Sequence, residues 1–334
     1  MTMNTRTALF SLAIAATLSS AGQATAQEHS VSMALDWTPN TNHIGLFVAR
    51  AKGFYEEAGV EVQILPYADT AAGTLVANGV SDFGHVSSMA LFAQRAAGAD
   101  LIATYAVSQS ETGRLVFDGN RDDIERPSDL DGKIYAGFGS DWERALISAM
   151  IQHDGGEGEF EIVTLGTSAY EALANGAVDF TLEVATWEGV RADLDGRPQG
   201  AFYYGDYGVP DQHTGYIATR ESWLEDNREA AEAFIKATQR GYAYAVDNPD
   251  EATDILISEN PDALTDRDFV RASLQALIDG NFLRSEDGAV GLLNPEKMEA
   301  MGSFLFENGI LRDMDGNPLN ERPDFTAFYT NELF

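Results

Sequence analysis

Four short loops hold most of the side chains in this chain that can grip or transform a small molecule. Trp37-Thr38-Pro39-Asn40-Thr41-Asn42-His43 packs an indole, two amides, two hydroxyls and an imidazole into seven residues. Pro39 forces Thr38 to be extended, Thr41 or Asn42 can cap a following helix, and the face of Trp37 suits stacking on a planar ligand. The same residues also read as a strand-to-helix turn with Trp37 in the core, and spacing leaves the two readings level. Ser87-Ser88 offers two hydroxyls, either as ligand contacts or as the cap of a helix starting at Met89. Gly137-Phe138-Gly139-Ser140-Asp141-Trp142-Glu143 is a glycine-rich turn into a helix. Such turns bind anions through free N–H groups, but Asp141 and Glu143 oppose a phosphate, and Ser140 with Glu143 has capping-box spacing. The segment Leu182 to Gly189 sets Glu183, Trp187 and Glu188 just after a strand. A buried carboxylate there can accept from the exocyclic amine and the protonated ring nitrogen of an amino-heterocycle. The alternative is a solvated helix start in which the macrodipole favours Glu.

Hydrolytic and phosphate-handling motifs are missing. The sequence has no G-x-S-x-G elbow, no H-E-x-x-H and no P-loop. His29, His43, His85, His153 and His213 are scattered without metal-ligand spacing, so neither a metal nor a cofactor is expected. The absence of Cys removes disulfides, thiolate nucleophiles and a lipid-modified N-terminal Cys.

The elements that must position these loops alternate between strand and helix patterns, as in an α/β fold. Strands are expected at Val31–Leu35, Val60–Leu65 and Ser81–Val86, with helices at Asn42–Ala51 and Ala71–Ala77. An internal echo pairs Ala77-Asn78-Gly79-Val80-Ser81-Asp82-Phe83 with Ala174-Asn175-Gly176-Ala177-Val178-Asp179-Phe180. Both end a helix at Asn-Gly and open a strand with Asp-Phe, which points to two related lobes. The 334 residues also suit two domains. Residues 1–26 read as an export signal: Arg6, an apolar run too short to span a bilayer, then Ala24-Thr25-Ala26. The expected division is 27–118 for the first lobe, 119–213 for the second and 214–334 for a return to the first. That last part carries helical patterns at Glu221–Val246, Thr265–Asp279 and Pro295–Asn308. Two strands crossing between the lobes form a hinge, so a ligand between the lobes is buried by closure.

Formal charge is −32, and Arg6 is the only charged residue before Gln27. Such a charge disfavours nucleic acid and anionic membrane as partners. Its even spread along the chain fits a solvated surface adapted to salt.

Leu35-Asp36-Trp37-Thr38-Pro39-Asn40-Thr41-Asn42-His43, with Ala51-Lys52-Gly53-Phe54-Tyr55, Val209-Pro210-Asp211 and Thr330-Asn331-Glu332, resembles the thiamine-pyrimidine-synthase-like family. The resemblance covers nearly all of the chain beyond the export signal. Its nearest branch is that of the periplasmic pyrimidine-precursor receptors of importers. It implies a type 2 periplasmic-binding-protein fold, two α/β lobes on a two-strand hinge, with a pyrimidine precursor of thiamine between them. By position, Trp37 becomes a stacking platform, Asn40 and Asn42 polar contacts, and Glu188, or else Glu183, the partner of the aminopyrimidine edge. Trp187, Ser87, Ser88 and Glu143 line the cleft, and His43 is a contact or a structural residue. Family members carry an aromatic-rich run before the Glu; here Val184-Ala185-Thr186 are smaller, which makes room for another or larger heterocycle.

The same family includes a pyrimidine-synthesising enzyme that uses a Lys, a His and a Cys-rich loop. Those Lys and His positions fall on Val86 and Ala90, and a Cys-free chain has no such loop. The resemblance therefore implies no catalysis, a periplasmic monomer without stable membrane insertion, and an ABC transporter permease as partner. Riboflavin or another heterocycle is the alternative ligand, and a small anion such as a sulfonate a further one.

Overall fold

Segments rich in Val, Ile, Ala and aromatic residues form the buried strands, and Asn, Asp, Ser and Gly punctuate them. The computed structural model describes residues 29–68 and 70–334, so the expected export signal at 1–26 lies outside it. From His29 the chain forms β1 (His29–Ala34), a 3-10 turn at Thr41–His43, α1 (Ile44–Ala51), α2 (Phe54–Glu57) and β2 (Val60–Leu65). It continues with α3 (Ala72–Ala77), β3 (Phe83–Ser87), α4 (Ser88–Ala96) and β4 (Ile102–Ala106). After one crossover come β5 (Gly113–Asp118), β6 (Ile134–Gly137), α5 (Asp141–His153), β7 (Glu161–Thr164) and α6 (Ser168–Ala174). Then follow β8 (Phe180–Val184), a π-turn at Ala185–Gly189, α7 (Val190–Leu194) and β9 (Gln199–Tyr203). The chain returns through β10 (Gly215–Thr219), α8 (Glu221–Asp226), α9 (Arg228–Asp247), α10 (Pro249–Glu259), α11 (Arg267–Asp279) and α12 (Pro295–Glu307).

Two five-stranded sheets result, in the orders β2-β1-β3-β10-β4 and β7-β6-β8-β5-β9. They share one wiring diagram. β1 is parallel to β2 and β3 as β6 is to β7 and β8, and the fourth strand, β10 or β5, is antiparallel to both neighbours. The sequence echo has a matching chemical role. Asn78 and Asn175 end α3 and α6, and Gly79 and Gly176 follow at φ 71° and 70°, the left-handed region where Gly avoids a Cβ clash. Asp82 accepts from Ser32 N at 2.8 Å and Asp179 from Ile134 N at 2.8 Å, each tying its strand to the parallel neighbour.

The sheets correct the expected lobe boundary. β5 was to close the first lobe at residue 118, yet it hydrogen-bonds to β8 and β9, so the outward crossover is 107–112. The apolar alternation of Leu115 and Phe117 serves either sheet, and only strand pairing decides. The return crossover, 208–214, lies beside it: Thr112 N donates to Thr214 Oγ1 at 2.9 Å and Glu111 N to Asp211 Oδ1 at 3.0 Å. The helical pattern at Glu221–Val246 is cut at Asn227 (φ −128°, ψ 32°), which separates α8 from α9. α10 goes beyond the expected elements and starts at Pro249, where a missing N–H costs nothing. α1, α9, α10 and α11 share the first core, through Phe47, Phe234, Leu256 and Leu274.

His213 in the return crossover is buried. Its Nδ1–H donates to Ser108 O at 2.8 Å, and Nε2 accepts from Asn294 N at 3.0 Å. Burial pushes its imidazole down to about 4. An imidazole depressed from about 6.5 contributes stability that is present above pH 6.5 and lost as pH falls toward 4. By the pKa difference the loss is about 3 kcal/mol. Urea titrations between pH 7 and 4.5 are expected to show a shallower decline in stability for His213→Gln than for the parent.

Candidate functional site

The first loop is built around its own turn. Asn40 is extended at the start of the 3-10 turn, its Oδ1 accepts from Asn42 N at 2.8 Å, and its Nδ2 donates to Thr38 O at 3.1 Å. Its side chain is thereby used locally. His43 is fully buried and bonds Asp36 Oδ1 through Nε2 at 2.8 Å. Among the residues lining the two cavities described below, this loop supplies Trp37, and not Asn40, Asn42 or His43. Trp37 leans toward the second lobe, with its ring 5.9 Å from Phe138 and 5.9 Å from Tyr67. Phe138 is 51% and Tyr67 37% exposed, so the three rings form an aromatic lip rather than a core.

Folding also gathers two histidines that the sequence scatters. His85 Nδ1 lies 2.8 Å from Asp36 Oδ2 while His43 holds Oδ1. Burial alone would raise the Asp36 carboxyl, but the imidazoles, His85 foremost, hold it well below the usual carboxylate range. The three donor groups lie within 4.8 Å of one another, close enough for a metal. The hydrogen bonds argue for proton sharing instead. Asn40 N–H donates to His43 Nδ1 at 3.3 Å, so the ring proton sits on Nε2 and points at Asp36. A metal on Nε2 would move that proton to Nδ1, donor against donor.

The second and third loops are caps that also face the cleft. Ser87 Oγ accepts from Ala90 N at 3.3 Å at the start of α4, and buried Ser88 lies 3.3 Å from the Tyr216 hydroxyl. Glu143 closes the capping box: Oε2 accepts from Ser140 N and Oγ at 2.7 and 2.8 Å, and Oε1 from Tyr135 OH and Phe138 N at 2.7 and 3.0 Å. With four donors on two oxygens, Glu143 shapes the wall and has little capacity left for a ligand. Gly137 is required there, since a Cβ would strike the Tyr135 hydroxyl at 2.1 Å.

The fourth loop separates its two carboxylates. Glu183 is buried and paired: Oε1 accepts from Arg114 Nε and Nη2 at 2.8 and 2.5 Å, and Oε2 from Gln199 Nε2 at 2.8 Å. Glu188 accepts from Val184 N at 3.1 Å through Oε2, and its Oε1 has no protein partner among the described residues. Burial, with Glu183 adding repulsion, pushes the Glu188 carboxyl up to about 7. Trp187 packs on Phe269 with centroids 4.4 Å apart. A π-turn places these residues, a feature often found at functional sites.

Two cavities meet at Glu183 and Tyr170. The larger, about 490 Å³, is walled by Trp37, Tyr170, Trp187, Phe269 and Glu188, with Asn120, Gln199 and Arg197 among its polar residues. The smaller, about 190 Å³, lies against the crossovers and is walled by Ser87, Ser88, Glu143, Phe138 and Tyr204. Aromatic walls with a few polar groups suit a planar heterocycle. Sequence reading missed Tyr170, Tyr67, Phe269 and Arg114 as parts of this site. Tyr170 and Phe269 sit in ordinary helical patterns, and only the cross-strand pair Arg114–Glu183 carries a signal, opposite charges at one register position, that needs the pairing to be known.

Comparison with known proteins places this geometry. A profile of the family described as NMT1/THI5 like matches residues 40–252. A formylaminopyrimidine-binding protein of Halalkalibacterium halodurans is 25% identical over 283 residues, covering 83% of this chain and 84% of that protein. A 4-amino-5-hydroxymethyl-2-methylpyrimidine phosphate synthase of Legionella pneumophila is 24% identical, over 70% of this chain and 75% of the synthase. The alkanesulfonate-binding protein SsuA from Xanthomonas axonopodis pv. citri superposes with a TM-score of 0.67 at 14% identity. That match spans 91% of this chain and 99% of SsuA. The fold is therefore the two-lobe α/β fold of periplasmic binding proteins.

Proposed function

Because this chain belongs to the NMT1/THI5-like family, we propose that it is the receptor of an ABC importer for a thiamine-type pyrimidine precursor. The carrying observation is Glu188: a carboxyl desolvated to a pKa of about 7, with one oxygen unpartnered, on the wall of an aromatic cavity. An aminopyrimidine edge offers an amine donor and a ring nitrogen that shares one proton with such a carboxyl. Trp37 or Trp187 stacks on the ring, and closure of the lobes completes the cage. No bond is made or broken: Val86 and Ala90 stand where a synthase's Lys and His fall. The Ala24-Thr25-Ala26 pattern supports export to a periplasm, and no described helix is long and apolar enough to cross a membrane. The receptor acts as a monomer and delivers its ligand to the importer's permease.

A thermal-shift panel at matched salt tests this reading, because a ligand that binds only the native state raises the midpoint. Aminopyrimidines are expected to stabilise the protein more than thiamine, riboflavin, taurine or nitrate. Stabilisation by an anion and by no pyrimidine would sink the proposal. The large cavity gives riboflavin the second place, and its arm of the panel decides that alternative.

A further inference from the structure

Outside the two crossovers, the second lobe touches the first along α11, next to the candidate site. Ser273 Oγ donates to the Thr186 carbonyl at 2.5 Å, and Thr41 Oγ1 lies 2.7 Å from Ser273 Oγ. Ser273 has one hydroxyl proton and Thr186 O can only accept, so Thr41 must be the donor to Ser273. The polarity is fixed: Thr41 hydroxyl to Ser273 hydroxyl to Thr186 carbonyl. All three residues are buried, at 1%, 0% and 3% exposure. The π-turn prepares the acceptor, because Val190 N–H, the ordinary helical partner of Thr186 O, reaches Trp187 O. Around this chain Trp187 packs on Phe269, Arg191 bonds Asp266 at 2.9 Å, and the Arg191 guanidinium lies 3.9 Å above the Phe269 ring.

We propose that Ser273, aimed by Thr41, is a positioning residue that latches the two lobes closed even without ligand. Thr41 sits between Asn40 and Asn42 of the first loop, and Thr186 immediately precedes Trp187 and Glu188. The latch therefore sets the registration of the two faces that hold the ligand. Opening breaks it at one place, the bond from Ser273 to Thr186, since Thr41 and Ser273 both belong to the first lobe. A receptor already closed in part binds with less loss of affinity to closure.

The absence of Cys allows a clean distance measurement. Gln63→Cys on β2 and Glu161→Cys on β7 are exposed positions on the strands farthest from the crossovers. Spin labels on that pair read lobe separation without any ligand. The parent is expected to give one short distance. Ser273→Ala and Thr41→Val should each add a longer population, raising the open-to-closed ratio about 2- to 10-fold, the worth of one hydrogen bond. Thr41→Ser should restore the parent distribution, which general loosening of the fold would not do. A parent that is mainly open, or variants with unchanged distributions, would overturn the latch.

A second arm rests on the proposed function. With 4-amino-5-hydroxymethyl-2-methylpyrimidine as probe, Ser273→Ala should speed dissociation by a similar factor and also speed association, because more of the unliganded protein is open to entry. Failure of the probe to bind the parent counts against the pyrimidine reading, while the label distances still decide the latch.

Discussion

Glu188→Ala is expected to weaken aminopyrimidine binding about 10- to 100-fold, because it strands two ligand hydrogen-bonding groups inside a desolvated cavity. The pH dependence is more diagnostic. The pair needs one proton between the carboxyl and the ring nitrogen. With the Glu188 carboxyl at about 7, that proton is held below pH 7 and lost as pH rises through it. Calorimetric titrations should give affinity falling toward tenfold per pH unit above pH 7. Glu188→Gln keeps one acceptor and one donor on a neutral amide, which cannot titrate. It should bind more weakly than the parent at pH 6.5, where the charge-assisted bond is stronger. It should also show no decline above pH 7, and riboflavin should respond less to the change. A Gln variant with the parent's pH profile would remove Glu188 from this role.

The second large effect concerns the neighbouring carboxylate. Arg114→Met should destabilise the protein by about 3–5 kcal/mol, since it leaves the Glu183 charge buried without its partner. Glu183 is 3% exposed and receives two bonds from Arg114. Gln199 alone then remains to satisfy it. Replacing both partners, Arg114→Met with Glu183→Leu, should recover much of the loss, because an apolar pair carries no desolvation penalty. Urea unfolding of the two variants measures this. Equal destabilisation of the single and double variants would show that Glu183 is not held as an uncompensated charge.

The two carboxylates show how far the sequence could be read. Glu183 and Glu188 lie five residues apart on one loop, and both were candidates for the ligand. Both reach the large cavity, but alternation along β8 spends Glu183 on Arg114 of β5, whereas the π-turn presents Glu188 there with one oxygen unpaired. Strand pairing and a rare turn separate them, and neither is visible in local composition. Glu143 illustrates the reverse: its capping-box spacing with Ser140 was legible, and the box is what the structure contains. At Asn40 the cap also prevails, with the amide spent inside its own turn.

The local pattern by itself determined the strand and helix alternation, the Asn-Gly and Asp-Phe echo of two similarly wired sheets, and the turn chemistry of the first loop. These depend on backbone conformation and capping, which neighbours in sequence settle. Tertiary structure alone decided that β5 joins the second sheet, that Asp36 meets the distant His85 as well as the nearby His43, and that Ser273 meets Thr186. Each of these depends on groups 49 to 89 residues apart in the chain meeting in space, and the energy of such a meeting exists only once the chain has folded. The loop LDWTPNTNH thus keeps its turn chemistry as read, while its reach across the cleft, through Trp37 itself and through Thr41 by way of Ser273, belongs to the assembled fold.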